Sequence, residues 1–400
     1  MLKPFDFQCQ LRDHFKRQEK TWNWFSQVTI RNEQVEEFKT SLLKNTYRLE
    51  EASEPLIHRL VAEAKSKLGV IVPVTVYQSQ YSQSANAGII FIGNEAHLLL
   101  SGPLIRSLEE KELLALIAHE LSHILFYTLD GGDFEVTSRI ITAIGNDYRS
   151  GDTYAETSRL FSLFTELFCD IGSFEVCGDS AVVISALVKI DTGLEKVSAA
   201  NYVKQADEIF ARHDQGSGGE SHPESFIRAK AIDLYARNGA AAFDGISRMI
   251  LGNPGLFSLN IFMQQALLET TRELIQLLLK PKWMQSELNK AHYQQYFREF
   301  KTNSAGIADG DFKARIGSSS ASLKEYYCYV MLDFALCDTE ISTPASGLIL
   351  DLAEQLGLSE PLTRIFKKEL NLSDKKFNEY VQAAASELNA IMESDQEKIY

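Results

Sequence analysis

The stretch "LIAHELSHILFY", residues 116–127, places two histidines and a glutamate inside an otherwise apolar run. Such a run reads as a buried helix, and imidazoles and a carboxylate do not belong in one unless something partners them. His119 and His123 are four residues apart, so on a helix they lie about 40° apart around the axis, one above the other. Both rings can then reach one metal ion. Glu120, one position on, points to the side of the pair and can reach a water beside the metal without being a ligand. This is the HExxH arrangement of two zinc ligands and a general base on one rigid helix. Leu113, Leu114, Leu116, Ile117, Leu121, Ile124 and Leu125 bury the rest of that helix, so the motif faces a cleft. The plainer alternative is a pair of partnered core histidines.

A catalytic zinc site takes three protein ligands and leaves one position open. In the metzincin pattern the third ligand lies ten residues after the first histidine, where this chain has Leu129, and the glycine of that pattern is Phe126. A deformylase-like site would need an upstream cysteine, and residues 71–118 contain none. The remaining option is a glutamate on a second helix. "FTELFCDIGSFE" (164–175) supplies Glu166, with Asp170 one turn later. Two acids at this spacing repel unless cations lie nearby. A zinc ion at Glu166 and a basic residue at Asp170 would relieve that repulsion, and Gly172 would let the two helices approach closely. The alternative is a solvated acidic face.

Outward from these helices the chain is ordinary. Its 400 residues exceed one compact domain and favour two. A net charge of −14 argues against nucleic acid as a partner. Residues 1–50 carry nine Lys/Arg against seven Asp/Glu, so the acidity lies downstream. Five scattered cysteines form no disulfide framework and fit a reducing compartment. The first twenty residues have no apolar core of a signal peptide, and no unbroken run of apolar residues is long enough for a transmembrane helix. The expectation is a soluble, cytoplasmic protein.

Residues 5–70 have a mostly helical pattern. "IVPVTVY" (71–77) reads as a strand, and "GIIFI" (88–92) and "AHLLL" (96–100) read as two more joined by a turn at Gly93-Asn94. Ser107, with Glu110 three residues on, predicts the start of the HELSH helix near 108. Apolar spacing predicts a second helix from about Tyr154 to Val176. "DQGSGGESHPES" (214–225) is a polar loop before a helix that ends at Gly239. "GNPG" (252–255) is the best domain boundary, and the chain beyond it reads as helical with a loop around 306–320.

HELSH, then Glu166 and Asp170 with Gly172 two residues on, then "SHPESFIR", resembles the gluzincin peptidases of the HtpX and CAAX-prenyl-protease type. The resemblance covers about residues 60–240, including the strand and hairpin before the HELSH helix. It implies that His119, His123 and Glu166 bind zinc and that Glu120 is the base. It implies that Asp170 pairs with Arg228 and orients the site, and that His222, followed by Pro223, lies near the zinc and stabilises a developing oxyanion. Two departures stand out. Many members of that family are embedded in membranes, and the family's Asn-Ala-Phe-Ala stretch survives only as Asn86-Ala87-Gly88. "YVMLDFALCDTEISTPASGLILDLAEQLGLS" (329–359) resembles, more faintly, the helical TerB-type domain of tellurite-resistance and stress proteins. That domain has an acidic segment at the position of Asp338 and Glu340. Otherwise these two acids would be an N-cap and a first-turn acid.

Together these readings predict an α+β protein: a helical segment over 1–60, a mostly helical zincin-type domain with a small sheet over 61–255, and an all-α, TerB-like domain over 256–400. The function they imply is a zinc-dependent endopeptidase acting on protein or peptide, with the C-terminal half regulating or targeting it through a protein partner. The rival is a catalytically silent zincin-fold regulator. A latent enzyme is a third reading, with residues 1–50 or 131–153 over the cleft and Cys9 as a thiolate ligand. Retention of Glu120, which a structural zinc site does not need, favours the enzyme.

Overall fold

The computed structural model describes residues 2–27, 32–80, 84–92, 94–212, 216–298 and 310–397. Among the described residues the chain is mostly helical with one small sheet, and it divides into two compact units, Met1–Gly252 and Asn253–Tyr400.

The sheet of the first unit has four strands: β1 (Thr46–Arg48), β2 (Val74–Ser79), β3 (Asn86–Ile92) and β4 (Glu95–Ser101), in the order β1-β2-β4-β3. β3 and β4 form an antiparallel hairpin in which Ile90 faces His97. Asn94 in its turn has φ +65°, the left-handed conformation that asparagine tolerates; Gly93 lies outside the described residues. β2 and β4 are parallel, and β1 is antiparallel to β2. β1 lies within the span whose composition reads as helical, so that expectation is corrected over three residues. Thr46 is buried there, and its hydroxyl donates to the Leu42 carbonyl at 2.6 Å.

One face of β4, carrying Ala96, Leu98 and Leu100, is fully buried. Leu98 and Leu100 join a core with Ile57 and Leu60 of the helix Pro55–Leu68 and with Leu113, Ile117 and Leu121 of the HELSH helix. The HELSH helix spans Glu110–Thr128. Its cap is not Ser107, which ends a short preceding turn, Leu104–Ser107. Glu109 is the N-cap, and its N–H donates to Glu112 Oε2 at 2.9 Å. By length and composition Glu110–Gly131 would suffice to cross a membrane, but 72% of its apolar window is buried, as in a core helix.

The second helix, Asp152–Cys177, lies against the first. Gly172 permits this: a Cβ there would sit 2.1 Å from Ser122 Oγ. Next to it, Ser173 Oγ donates to the Ala115 carbonyl at 2.7 Å, fixing the sliding of one helix on the other. The N-terminal helix Asp6–Lys16 buries Leu11 and Phe15. Its Gln8 donates from Nε2 to Thr165 Oγ1 at 3.1 Å, beside Glu166. The N-terminal segment is thus part of the same unit as the helices Glu110–Thr128 and Asp152–Cys177.

The described residues of the second unit form helices and no strand. Asn260 caps the first of them, Ile261–Leu278, accepting from the N–H groups of Phe262 and Met263. Leu274, Met331, Phe334 and Phe366 lie in its core. The expected loop at 306–320 instead holds a helix, Gly310–Ser318, because Phe312 and Ile316 are one turn apart and both buried. Asp338 is not an N-cap: it precedes the helix Ser342–Leu356, whose N-cap is Ile341, and its Oδ1 accepts from the Glu340 N–H at 3.0 Å.

Candidate metal centre

The HELSH helix brings His119 and His123 to one face with their ring centres 5.2 Å apart. Opposite them the second helix presents Glu166. One ligand atom from each of His119, His123 and Glu166 lies within 4.8 Å of the others. His119 Nε2 is 3.3 Å from Glu166 Oε2, and His123 Nε2 is 3.6 Å from Glu166 Oε1. Glu166 is 7% exposed, and its Oε2 has no donor in hydrogen-bond geometry although nitrogens surround it. A buried carboxylate oxygen left in that state costs stability unless a cation completes it. Two imidazoles and one carboxylate are the donor set of a catalytic zinc site, so the residues fit that ion.

Asp170, one turn beyond Glu166, contacts His119 and Arg228. It accepts from Arg228 twice, from Nε at 2.8 Å and from Nη2 at 2.7 Å. Its Oδ1 also lies 3.0 Å from His119 Nδ1. An ionised carboxylate only accepts, so His119 donates from Nδ1 and presents Nε2 to the cluster. Arg228 sits on the helix Ser225–Asn238 and also approaches Glu166 Oε2, at 3.8 Å.

These contacts order the charges. Burial alone would lower the pKa of His119, but the Asp170 and Glu166 carboxylates outweigh it and raise it to about 10. Burial lowers His123 to about 4 and keeps it neutral. Against burial, His119, His123 and Arg228 hold Glu166 well below the usual carboxylate range. Against burial again, Arg228 and His119 hold Asp170 low. Glu120 differs: burial pushes it up to about 7, with nearby Glu166 adding to the rise. Of the two carboxylates beside the histidines, one stays ionised as a ligand must. The other sits where a proton can be taken and given near neutral pH.

His222 is 58% exposed in its side chain, with Nε2 3.5 Å from Glu166 Oε2. Ser221 Oγ lies 2.9 Å from His222 Nδ1. If the hydroxyl donates, Nε2 carries the proton and faces the cluster as a donor. The loop beneath it is built by two residues the sequence did not single out. Glu224 accepts from Ser217 Oγ at 2.6 Å and from the Gly218 N–H at 2.9 Å. Arg159, two turns before Glu166, donates from Nη1 to the carbonyls of Ser217 and Gly219 at 3.1 and 2.6 Å. Only glycine fits at 219, where a Cβ would lie 1.9 Å from the His222 carbonyl oxygen.

A cleft of about 290 Å³ opens at the cluster. His119, Glu120, Glu166 and His222 line it, with Asn86 and Ala87 of β3 at one wall and Val183 and Ile190 at another. Among the described residues its lining includes none from 1–50 or 131–153, the two segments considered as covers. Cys9 is half-buried on the N-terminal helix and is not in the metal-ligating group; burial pushes its thiol up, away from the thiolate.

Residues 51–126 match the family model described as Peptidase family M48. The chain is also similar to the plastoglobule-localized metallopeptidase 48, chloroplastic, of Arabidopsis thaliana. The two are 27% identical over 225 residues, covering 51% of this chain and 62% of that protein. No solved structure matches. Both similarities support a metallopeptidase family for this chain. The family match contains His119, Glu120 and His123 and stops short of Glu166, so the third ligand rests on the geometry.

Proposed function

We propose that this protein is a zinc-dependent endopeptidase of the HtpX type in which His119, His123 and Glu166 hold the metal and Glu120 is the general base. The observation that carries the reading is Glu120. It is buried beside the cluster and is not one of the three grouped ligands, and that burial pushes its carboxyl up to about 7. A zinc ion held there would acidify a water and polarise the scissile carbonyl. Glu120 takes the proton of the attacking water and returns it to the leaving amine. His222 donates from Nε2 to the oxygen on which charge develops. Arg228 and Asp170 keep His119 in the tautomer that offers Nε2. Among the described residues β3 pairs only with β4, so its outer edge is free to hold an extended peptide by backbone hydrogen bonds.

The test is Glu120→Gln in the zinc-loaded protein. Metal content and melting should match wild type, while cleavage of a denatured peptide library falls by roughly two or more orders of magnitude. Equal cleavage by both proteins would defeat the assignment. We assign the TerB-like second unit a regulatory or targeting role, since none of the proposed catalytic residues lies in it. Each unit has its own core. A chain ending at Gly252 should therefore fold, and should cleave generic peptides faster or less selectively if residues 253–400 restrain the site. Unchanged rate, selectivity and native target would leave that role without support.

A further inference from the structure

A second hollow of about 160 Å³ is lined by His123, which is absent from the lining of the main cleft. We infer that it is the specificity pocket for a side chain on the N-terminal side of the scissile bond, and that it selects a residue of phenylalanine size. This inference rests on the peptidase reading and names the substrate that reading leaves open.

Three elements build the hollow. β3 contributes Ile89 and Phe91, two residues apart and so on one face of the strand. The HELSH helix contributes His123, Ile124 and Tyr127. The helix Asp133–Gly145 contributes Glu135, Ser138 and Arg139. A peptide lying on the free edge of β3 therefore passes both cavities, since the strand gives Asn86 and Ala87 to the main cleft and Ile89 and Phe91 to the hollow.

Direction follows from the strand. β3 runs from Asn86 and Ala87, which line the main cleft, to Phe91, which lines the hollow. Antiparallel pairing is the more stable mode. A peptide added that way runs from the Phe91 end toward the Asn86 end. Residues before the scissile bond then lie over the hollow, and residues after it enter the main cleft.

The chemistry of the walls decides what fits. Ile89 and Phe91 pack with buried Ile124 as one apolar surface. Arg139 offers no spare charge: its guanidinium donates to both Glu135 oxygens, at 2.6 and 3.0 Å, and to the Phe25 carbonyl at 2.9 Å. A charged side chain entering here would lose its water without gaining an opposite charge. A cavity of about 150 Å³ holds benzene, so the space is the size of one aromatic ring and too small for an indole; Ile89, Phe91 and Ile124 offer the ring an apolar wall, and His123, Tyr127, Glu135, Ser138 and Arg139 make the rest of the lining polar.

The test uses the full-length, zinc-loaded chain and alanine-rich host peptides carrying Phe, Leu, Trp, Lys or Ala at each of the two positions before a single cleavable bond. Wild type should prefer Phe over Ala at one of these positions by about tenfold or more in kcat/KM, and should reject Lys. Ser138→Leu fills the hollow from the helix Asp133–Gly145. It should erase the preference for Phe, bringing kcat/KM for the Phe peptide down to that for the Ala peptide. Phe91→Ala enlarges the hollow and should shift the preference to Trp. The inference is overturned if neither variant changes the preference, or if the preference falls on residues after the bond; the peptidase reading survives either result. Absence of any cleavage by zinc-loaded wild type would overturn both.

Discussion

His119 Nδ1 donates to Asp170 Oδ1 at 3.0 Å across the contact of the helices Glu110–Thr128 and Asp152–Cys177. Asp170 is in turn held by the Arg228 guanidinium through two hydrogen bonds. A surface arginine–carboxylate pair contributes little, but Asp170 is 4% exposed and Arg228 12% in their side chains. The pair therefore acts as one buried, fully partnered unit whose loss on one side strands a charge.

Replacing one partner, Asp170→Asn or Arg228→Met, should cost about 3–5 kcal/mol in denaturant unfolding of the metal-free protein. The double replacement by apolar residues should recover part of the loss, because no charge is left unpaired. Additive losses would show that the two act separately. Asp170→Asn should also weaken zinc binding by roughly ten- to a hundredfold, as expected when the group orienting a histidine ligand is changed.

The charge on His119 should make metal binding pH-dependent. Its folded pKa is raised from the ordinary 6.5 to about 10, so at neutral pH the metal-free chain carries a proton there. That proton stabilises the metal-free fold fully below pH 6.5, and the contribution is lost as pH rises toward 10. Zinc must displace the proton. Affinity should therefore rise by about a factor of ten per pH unit through this window, with about one proton released per ion. Calorimetry in two buffers of different ionisation enthalpy reads that proton directly. Zinc affinity flat between pH 7 and 9 would show that His119 is already neutral.

Much of this site was legible because its signal is local. His119, Glu120 and His123 stand on one helix at a spacing that helix geometry alone interprets. Glu166 and Asp170 were legible as interruptions of an apolar stripe, and Gly172 as the point of close approach, because each departs from what a buried helix face should carry. What was hidden rests on backbone groups or competing signals. Ser107 and Glu109 each have a glutamate three residues on, and only the folded chain shows that the second pair forms the cap. The short helix Gly310–Ser318 is flanked by glycine and serine and signalled only by Phe312 and Ile316. Arg159 gave no sign, since it holds two carbonyl oxygens that carry no residue identity.

Arg159 supports the last prediction. It is a positioning residue: it touches neither the metal cluster nor the cleft lining, but it ties the carbonyls of Ser217 and Gly219 to the helix that bears Glu166. His222 sits three residues beyond Gly219, so the loop is held in place before any substrate arrives. Arg159→Met keeps the apolar stem and removes the donors. It should lower kcat by roughly ten- to a hundredfold, the scale of a small misplacement at the reacting centre. KM and zinc content should stay near wild type, since the loop holds none of the three proposed ligands. His222→Ala should give a similar loss. Combining the two should add little, because both remove the same donor from the same place. Arg159→Lys can still reach one carbonyl and should recover part of the rate. A fully additive double mutant, or a loss of zinc from Arg159→Met, would mean that Arg159 supports the second helix and not the His222 loop.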